Sequence, residues 1–298
     1  MRVLVTGAAG FIGGHIVRKL RDRGDIVVAL QRRSLDPAVA KANPGLIRLS
    51  RDLACDDIEV TGPVDAVVHA SARSRPDGET AADYTRDNVV ATERLAEFSA
   101  RGGRCGKIVF LSSLSVYGTV SAPVVDETTP CVEPGFYGLS KLQGERILAE
   151  HAESVPAIAL RLPGVVGRGC GDAWAARVAR LALAGAPIAA YNPDAPFNNA
   201  LHVDDLAVFV SDLCHRPLAG FDVVTLASGG RTTVREAVEI VRSNCHSVSP
   251  VILSASPRTS FVVSTQRAQN RYGFAPMDIV KVMGRLAGDL GDATDGPS

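Results

Sequence analysis

The sequence opens with the stretch Val3-Leu4-Val5-Thr6-Gly7-Ala8-Ala9-Gly10-Phe11-Ile12-Gly13-Gly14, where a short apolar run leads into glycines spaced three residues apart. This pattern predicts a strand that turns directly into a helix, and the unpaired N–H groups and dipole of a helix N-terminus favour phosphate. Gly7 would make the tight turn, Gly10 would let the backbone approach a pyrophosphate, and Gly13 would let the helix pack against the strand. A glycine-rich turn without a ligand is the alternative, but the position of the motif within a βαβ unit favours a dinucleotide.

The charges of the chain are balanced, with 32 basic and 32 acidic side chains among 298 residues. This balance, together with few aromatic residues and no long basic run, argues against a nucleic acid or an anionic membrane surface as the main partner. The length fits one large domain or two small ones and allows a substantial core. We therefore expect small molecules as partners.

The beginning of the chain reads as a strand rather than a signal segment, and no apolar run is long enough to span a bilayer. The six cysteines are scattered, without a C-x-x-C pair. This cysteine usage predicts reduced thiols in the cytoplasm and argues against a zinc site, so no metal is expected.

The type of cofactor is expected to depend on the residues that follow the second strand, Asp25–Leu30. In dinucleotide sites this position carries an acidic residue for the ribose hydroxyls of NAD, or an arginine for the 2′-phosphate of NADP. Here Gln31 is followed by Arg32 and Arg33. The missing carboxylate and the two guanidinium groups favour NADP(H), and NAD(H) is the alternative if both arginines only form a solvated loop.

Two further strand ends carry residues suited to the rim of a dinucleotide site. A strand over Leu46–Leu49 precedes Asp52 and Leu53, and Asp52 is expected either to accept a hydrogen bond from the adenine amine or to cap the next turn. A strand over Val64–Ala70 is followed by the small residues of Ala70-Ser71-Ala72, which leave room for a ligand at the carboxyl end of the strand.

Two polar residues are predicted to be buried near these strand ends. His69 ends the fourth strand, and we interpret it as structural, because a lone buried histidine is more often structural than catalytic. Asn88 falls on the apolar side of a helix predicted over Asp83–Ala100. Because a buried amide must find hydrogen-bond partners, Asn88 is expected to tie the sheet strands together.

Tyr137 and Lys141 have the spacing of a catalytic pair. The fifth strand, Lys107–Leu111, ends in a hydroxyl-rich stretch, and a later helix is predicted from Tyr137 to about Ala152. A separation of four places the phenol and the ammonium on one helical face, one turn apart. An ammonium beside a phenol favours the phenolate, so the pKa of Tyr137 is expected to be lowered toward the range that serves proton transfer near neutral pH.

These motifs resemble the extended short-chain dehydrogenase/reductase family, in its NAD(P)-dependent nucleotide-sugar epimerase, dehydratase and reductase branch. The matching segments are Thr6-Gly7-x-x-Gly10-x-x-Gly13, His69-Ala70-Ser71-Ala72, Asn88, Ser112-Ser113, Val116-Tyr117-Gly118, Tyr137-x-x-x-Lys141, Arg161-Leu162-Pro163 and His202-Val203-Asp204-Asp205-Leu206. They span about two thirds of the chain in the order of the family. The resemblance implies a dinucleotide cofactor, a nucleotide-sugar substrate and a place in polysaccharide biosynthesis.

The resemblance also implies roles for individual residues. Tyr137 would exchange a proton with the reacting oxygen, Lys141 would bind the nicotinamide ribose and tune Tyr137, and Ser113 would hydrogen-bond the reacting oxygen. The implied cofactor site consists of Gly7, Gly10, Phe11, Ile12, Gly13, Arg32, Arg33, Asp52, Leu53, Ala70, Ser71, Ala72, Asn88, Tyr137, Lys141, Pro163 and Val166. The implied substrate site consists of Ser113, Ser115, Asn198, Asn199 and Arg258.

The sequence departs from the family pattern in ways that bear on the reaction. Dehydratases of the family carry Asp-Glu after the catalytic Thr, whereas Leu114 and Ser115 stand here. Elimination of water then lacks its acid and base, so dehydration is disfavoured. Many epimerases carry Asn where Gly164 stands, and that contact with the sugar-nucleotide is missing.

The second half of the chain gives weaker patterns. Asn198 and Asn199 are expected either to contact a sugar or diphosphate or to shape a turn, and Arg258 either to bind the diphosphate or to be solvated. Asp204 and Asp205 are expected to cap a helix rather than to catalyse. Residues 233–236, Thr-Val-Arg-Glu, fit a capping box.

The expected architecture is α/β, a doubly wound parallel sheet of the Rossmann type with a small C-terminal α/β substrate-binding lobe. Residues 1–165 are expected to form the dinucleotide-binding domain, with strands added from 198–228, and residues 166–298 most of the lobe. A homodimer is expected, because family members often dimerise through a four-helix interface, which here would use Asp83–Ala100 and Tyr137–Ala152.

The favoured reaction is NADP(H)-dependent reduction of a nucleotide-linked 4-keto sugar. One alternative is a nucleotide-sugar 4-epimerase similar to UDP-glucose 4-epimerase, and another is a reductase of a non-nucleotide carbonyl. A non-catalytic dinucleotide-sensing protein is a further alternative, which the presence of Ser113, Tyr137 and Lys141 together argues against.

Overall fold

The computed structural model describes residues 1–32, 45–74, 80–101, 105–257 and 259–291. The chain divides into two compact units, each made of several segments. The first unit contains residues 1–119, 130–161 and 207–224, and the second contains residues 120–129, 162–206 and 225–298.

In chain order, the strands are β1 (Arg2–Thr6), β2 (Ile26–Gln31), β3 (Leu46–Ser50), β4 (Ala66–His69), β5 (Ile108–Ser113), β6 (Val124–Val125), β7 (Ala157–Leu162), β8 (Gly164–Val166), β9 (Ile188–Tyr191), β10 (Pro196–Phe197), β11 (Ala200–His202), β12 (Phe221–Thr225), β13 (Thr232–Thr233), β14 (Val251–Ser254) and β15 (Val262–Val263). The α-helices are α1 (Phe11–Asp22), α2 (Ala81–Tyr84), α3 (Ala91–Ala100), α4 (Phe136–Glu150), α5 (Trp174–Leu183), α6 (Val203–His215), α7 (Val234–Asn244), α8 (Gln266–Tyr272) and α9 (Ile279–Gly291). A π-helical turn covers Thr85–Val90 and a 3₁₀ turn covers Leu114–Tyr117.

The first unit is built on a seven-stranded parallel sheet in the order β12-β7-β5-β4-β1-β2-β3. In β1, Val3 lies opposite Val27 of β2 on one side and Ala66 of β4 on the other. The side chains of Val3, Leu4 and Val5 are fully buried, as expected where helices cover both faces of a parallel sheet. The order of the strands reverses between β1 and β4, and such a switch point is where sheets of this kind bind ligands. The predicted doubly wound sheet is confirmed.

The helical segment before β5 differs from its prediction. A single helix was expected over Asp83–Ala100, but helical backbone starts at Ala81, where Thr80 and Asp83 form a capping box. The π-helical turn at Thr85–Val90 then interrupts the α-helix and contains the buried Asn88. Such bulges depend on tertiary contacts and often accompany functional sites, so the spacing of apolar residues gave no sign of it.

The second unit combines short strand pairs with helices. β8 pairs with β11, β9 with β14 and β6 with β15 in parallel, whereas β10 and β13 are antiparallel. Helices α5, α7 and α9 pack against one another. The capping box at the start of α7 is confirmed, because Thr233 Oγ1 accepts from Glu236 N at 3.1 Å while Glu236 Oε2 accepts from Thr233 N.

The prediction that Asp204 and Asp205 cap a helix is wrong. Helix α6 begins one residue earlier, at Val203, so both carboxylates lie in its first turn. Asp205 accepts a hydrogen bond from Met277 N at 2.7 Å, and Asp204 forms an ion pair with Arg285 at 3.2 Å. Their partners lie about 70 to 80 residues away in sequence, which a local capping pattern does not reveal.

In the described part of the chain, no helix combines the length and the apolar character needed to cross a membrane.

Candidate active site

The glycine turn after β1 has the geometry that the sequence predicted. Gly7 has φ of +66°, a left-handed conformation that favours glycine, and its carbonyl accepts from Gly10 N at 2.9 Å. A Cβ atom at Gly13 would lie 2.1 Å from Gly7 O, far inside van der Waals contact. A side chain at Gly7 would likewise meet the backbone of Ser71 at 2.7 Å. The turn is therefore closed to any side chain at Gly7 or Gly13.

A cavity of about 500 Å³ lies beside this turn in the first unit. Its lining includes many residues of the predicted cofactor site: Gly7, Gly10, Arg32, Asp52, Leu53, Ala70, Ser71 and Ala72. The predicted residues Phe11, Ile12, Gly13 and Asn88 are not part of that lining. The volume is in the range of small-molecule sites, and the cavity lies where the strand order reverses.

A buried carboxylate at the cavity wall, Asp87, binds the predicted Arg32 together with two arginines that the sequence analysis missed, Arg73 and Arg86. Asp87, whose side chain is 5% exposed, accepts from Arg32 Nη1 at 2.9 Å and from Arg73 Nη2 at 2.6 Å, both at Oδ2. Arg86 pairs with the other oxygen of Asp87. Burial raises the pKa of Asp87, but the hydrogen bonds and charges of Arg32 and Arg73 outweigh it and hold this pKa below its usual value. Arg32 and Arg73 are thereby fixed together at the cavity.

The Asp52 carboxylate forms the turn cap that the sequence left as one of two alternatives. Its Oδ1 accepts from Ala54 N at 3.0 Å, and its Oδ2 accepts from Arg86 Nη2 at 2.7 Å. Arg86 therefore bridges Asp52 and Asp87.

His69 is held in one tautomer by a chain of hydroxyl groups. Thr92 Oγ1 donates to the carbonyl of Asn88 at 2.6 Å, so it accepts from His69 Nε2 at 2.9 Å. His69 Nδ1 then accepts from Thr6 Oγ1 at 2.8 Å, and Thr6 Oγ1 accepts from Ser71 N at 3.2 Å. Neutral His69 thus connects the end of β1 to the loop after β4, two walls of the cavity, in agreement with a structural role.

We expect His69 to stay neutral throughout the physiological range. Burial, and next the positive charge of Lys141, lower the pKa of His69 to about 3. The unfolded chain takes up a proton near pH 6.5, so stability from this group is lost as the pH falls below that value. NMR of ¹⁵N-labelled imidazole should show no titration of His69 between pH 5 and 8, whereas the urea-unfolded chain should titrate. Titration of folded His69 near pH 6.5 would contradict the hydrogen-bond chain.

Asn88 connects different elements from those predicted. Its Oδ1 accepts from Arg73 N at 2.7 Å, and its Nδ2 donates to Arg73 O at 3.0 Å and Ser140 Oγ at 2.9 Å. The amide therefore joins the loop after β4 to helix α4, and the prediction that it ties sheet strands together is wrong. A helix-borne side chain reaches the neighbouring loop and helix rather than the strands themselves.

Ser113, Tyr137 and Lys141 meet where β5 and α4 pack together. The Tyr137 phenol is hydrogen-bonded to the side chain of Ser113, at the end of β5. Lys141 Nζ donates to Leu111 O at 2.7 Å and lies 4.6 Å from the centroid of the Phe110 ring. The fold therefore places a hydroxyl, a phenol and a buried amine around one strand end.

The predicted lowering of the Tyr137 pKa is contradicted. Burial raises the pKa of Tyr137 to about 12, and the hydrogen bond from Ser113 opposes this only in part. The amine of Lys141 is directed to the Leu111 carbonyl, and burial lowers its own pKa to about 7, against the charge of Glu145. Desolvation thus outweighs the ammonium effect that helical spacing alone suggested, and the phenol keeps its proton at neutral pH.

Comparison with known proteins places this arrangement in a family. Residues 3–224 match the family described as the NAD dependent epimerase/dehydratase family. The chain is 32% identical over 265 residues to a UDP-glucose 4-epimerase of Azospirillum brasilense, covering 80% of this chain and 75% of the relative. The chain belongs to this family. Its relatives include nucleotide-sugar epimerases and dehydratases, so the predicted resemblance and the prediction of an enzyme are confirmed.

Two further proteins are similar to this epimerase/dehydratase family protein. A D-erythronate dehydrogenase of Cupriavidus necator is 30% identical over 217 residues, which is 66% of each chain. The solved structure of MoeE5 in complex with UDP-glucose and NAD is 27% identical, with a TM-score of 0.82 over 99% of this chain and 100% of that one.

In this epimerase/dehydratase family protein, the predicted substrate residues Asn198, Asn199 and Ser115 each have their own hydrogen-bond partners. Both polar ends of Asn198 are used by the backbone of Val263, at 2.8 and 2.9 Å, so its turn-shaping alternative is the one the structure favours. Asn199 Nδ2 donates to Phe261 O at 3.1 Å, while its Oδ1 has no hydrogen-bond partner among the described residues. Ser115 N donates to Ser113 Oγ at 3.1 Å.

The remaining predicted residues lie elsewhere. Pro163 and Val166 belong to the second unit, and Val166 is fully buried in β8. Arg33 and Arg258 lie outside the described residues. Within the described ranges, no group of three His, Cys, Asp or Glu side chains has the arrangement of metal ligands.

Proposed function

We propose that this protein is a nucleotide-sugar 4-epimerase. The observation that carries the proposal is the meeting of Ser113, Tyr137 and Lys141 at the end of β5, since a phenol held by a hydroxyl is suited to proton exchange with a sugar oxygen. The similarity to UDP-glucose 4-epimerase and to MoeE5 supports a UDP-sugar as the substrate. Dehydration is not proposed, because Leu114 and Ser115 provide no acid or base after Ser113.

In the proposed epimerisation, each residue of the site would have a distinct role. In its deprotonated form, Tyr137 takes the proton of the sugar hydroxyl as the carbon is oxidised and returns it on reduction, while Ser113 holds the oxygen in place. Lys141 holds the nicotinamide ribose. The oxidised dinucleotide, when bound, would accept the hydride from that carbon and return it to the opposite face. Gly7, Gly10, Ala70, Ser71 and Ala72, which line the cavity, would hold it there.

A second candidate is an NADPH-dependent reductase of a 4-keto sugar. Arg32 and Arg73, held together by Asp87 at the cavity, favour it because guanidinium groups bind phosphate well. The protonated state of Tyr137 also suits a reductase, which needs a proton donor at neutral pH.

The bound dinucleotide and its fate distinguish these two functions. The purified protein is denatured and the released dinucleotide identified by chromatography, and the protein is then assayed with UDP-glucose and with a UDP-4-keto sugar. An epimerase should retain its dinucleotide and convert UDP-glucose to its 4-epimer with no net change in absorbance at 340 nm. Stoichiometric NADPH oxidation on the keto sugar, without epimerisation, would favour the reductase.

Replacing Arg32 and Arg73 together by alanine tests the preference for the 2′-phosphate. Because each charged hydrogen bond contributes about 1.5–3 kcal/mol, NADPH binding should weaken at least about tenfold while NADH binding changes less than about twofold. Fluorescence titration with each dinucleotide measures both. Arg23→Ala, which removes an exposed arginine paired with Asp212, is the matched control. Equal weakening for both dinucleotides would show that the pair does not read the 2′-phosphate.

The nucleotide can be identified separately from the reaction. We propose that Asn199, whose Oδ1 has no hydrogen-bond partner among the described residues of the second unit, contributes to binding the substrate. Thermal unfolding of the protein in UDP, dTDP, GDP and CDP would show which base is bound. Stabilisation by none of them would favour a non-nucleotide carbonyl substrate, the chemistry suggested by the name of the D-erythronate dehydrogenase.

We further propose a homodimer in the cytoplasm. On α4, Phe136 is 59% exposed and Leu139 is 43% exposed, and such apolar side chains fit the helical interface expected from the sequence. All six cysteines are free, as reduced thiols would be. Residues 1–165 remain proposed as the dinucleotide domain and residues 166–298 as the substrate lobe.

A further inference from the structure

A buried ion pair lies one turn beyond Lys141 on helix α4. Glu145, which is 3% exposed, receives two hydrogen bonds from Arg161 at the end of β7, with Nε at 3.1 Å from Oε1 and Nη2 at 2.7 Å from Oε2. A buried pair of this kind often adds little to stability beyond what apolar side chains of similar volume would give. Stability alone therefore does not explain the buried pair of Glu145 and Arg161.

The remaining bonds of the pair reach both sides of Ser113. Ser112, the residue before Ser113 in β5, donates from Oγ to Glu145 Oε1 at 2.5 Å. On the other side, Arg161 Nη1 donates to the hydroxyl of Tyr117, the last residue of the 3₁₀ turn that follows Ser113. The Arg161 guanidinium also lies 4.9 Å from the centroid of the Tyr117 ring. One ion pair thus binds the side chain of the residue before Ser113 and that of Tyr117, four residues after it.

The pair also places a negative charge near Lys141. Burial opposes the charge of Arg161, but the hydrogen bonds and charge of Glu145 raise the pKa of Arg161, so the guanidinium stays charged. Burial lowers the pKa of Lys141 to about 7, and the Glu145 charge opposes that change. The Glu145 charge acts on Lys141, and the charge of Lys141 in turn acts on neutral His69 of β4. The other titratable groups next to these residues are Tyr84 of α2, beside Tyr137 of α4, and Arg161 of β7, which bonds to both Glu145 and Tyr117 of the 3₁₀ turn.

We propose that Glu145, clamped by Arg161, is a positioning residue that holds Ser113 in place through Ser112 and sets a negative charge one helical turn from Lys141. This inference rests on the proposed function, in which Ser113, Tyr137 and Lys141 carry the proton exchange. Glu145 touches none of the reacting atoms and acts through these neighbours.

The charge is tested by Glu145→Gln, with Glu150→Gln as the matched control at an exposed position of the same helix. Without the carboxylate, Lys141 should lose its proton at lower pH, so the high-pH limb of kcat/KM should move down by about one pH unit. The pH dependence of NADH binding, followed by fluorescence, should move in the same direction. A profile for Glu145→Gln that coincides with that of Glu150→Gln would overturn the proposal.

The hydrogen bond to the strand end is tested by Ser112→Ala, which leaves the ion pair charged. Misplacing Ser113 should lower kcat at least about tenfold, with the pH limb and NADH binding unchanged. Unchanged kcat would overturn this half of the proposal. If Glu145→Gln does not fold, Glu145→Gln/Arg161→Gln removes both charges together and should fold; a high-pH limb at the wild-type position in that variant overturns the charge effect.

Failure of this inference is distinguishable from failure of the proposed function. If the wild-type protein turns over no nucleotide-sugar, the proposed function fails, whereas the NADH titration still reports the effect of Glu145 on Lys141. If the wild type is active and Tyr137→Phe is not, but Glu145→Gln and Ser112→Ala behave as Glu150→Gln does, only the inference fails.

Discussion

Replacing Tyr137 by phenylalanine is expected to lower turnover about a thousandfold while dinucleotide binding changes less than about threefold. The substitution removes the hydroxyl that bonds to Ser113 but keeps the ring, whose centroid lies 6.2 Å from that of Tyr84. Initial rates with the nucleotide-sugar and fluorescence titration with NADH and NADPH measure the two quantities. Tyr191→Phe, at a tyrosine that is 59% exposed, is the matched control and should retain wild-type rates.

The pH dependence of the same reaction follows from the burial of the phenol. Because burial raises the pKa of Tyr137 to about 12, the phenol is protonated at neutral pH and can donate its proton to a carbonyl oxygen. Oxidation of the sugar needs the opposite transfer, so its rate should rise as the pH increases, until Lys141 loses its proton. Turnover by Tyr137→Phe above about a tenth of the wild-type rate would mean that another group carries the proton.

Gly13→Ala is expected to abolish tight dinucleotide binding and to lower the free energy of unfolding by about 1–3 kcal/mol. The new Cβ would lie 2.1 Å from Gly7 O, so either the turn or helix α1 must shift. Either shift displaces the backbone N–H groups expected to meet the pyrophosphate, and binding of NADH and NADPH should weaken together. Chemical denaturation and dinucleotide titration measure both effects.

The neighbouring glycine provides the control for this substitution. A Cβ at Gly14 would lie 3.7 Å from Ala8 O, which is ordinary contact, and no positive φ constrains that position. Gly14→Ala should therefore raise the free energy of unfolding by about 0.5–1 kcal/mol, as alanine does in a helix, and leave binding unchanged. Equal binding by Gly13→Ala and Gly14→Ala would show that the dinucleotide does not depend on this turn.

Local patterns determined much of the fold and the place of the site. The apolar run into Gly7, Gly10 and Gly13 specified a strand, a turn and a helix, because the conformations that these residues allow are set by a few neighbouring atoms. The same holds for the capping box at Thr233, whose partners lie within three residues. Alternation of apolar strands and helices with small residues at strand ends then predicted the parallel sheet and the cavity beside its switch point.

Hydrogen bonds and ion pairs between different elements of the fold could not be predicted from the sequence. The bonds of Arg32 and Arg73 to Asp87 join residues 55 and 14 positions apart, and those of Arg161 to Glu145 join residues 16 positions apart on a strand and the helix before it. The predicted lowering of the Tyr137 pKa was wrong for the same reason. Helical spacing reveals that Lys141 is one turn away, but not that its amine donates a hydrogen bond to the Leu111 carbonyl.

The sequence by itself determined which backbone turns and which reacting side chains this protein has, since those depend on residue type and short-range spacing. Only the tertiary structure decided their protonation, their partners and their orientation. Those properties depend on desolvation and on charges that strands and helices distant in sequence bring within a few ångströms. The glycine turn is thus a local property of twelve residues, whereas the working state of Tyr137 belongs to the folded sheet as a whole.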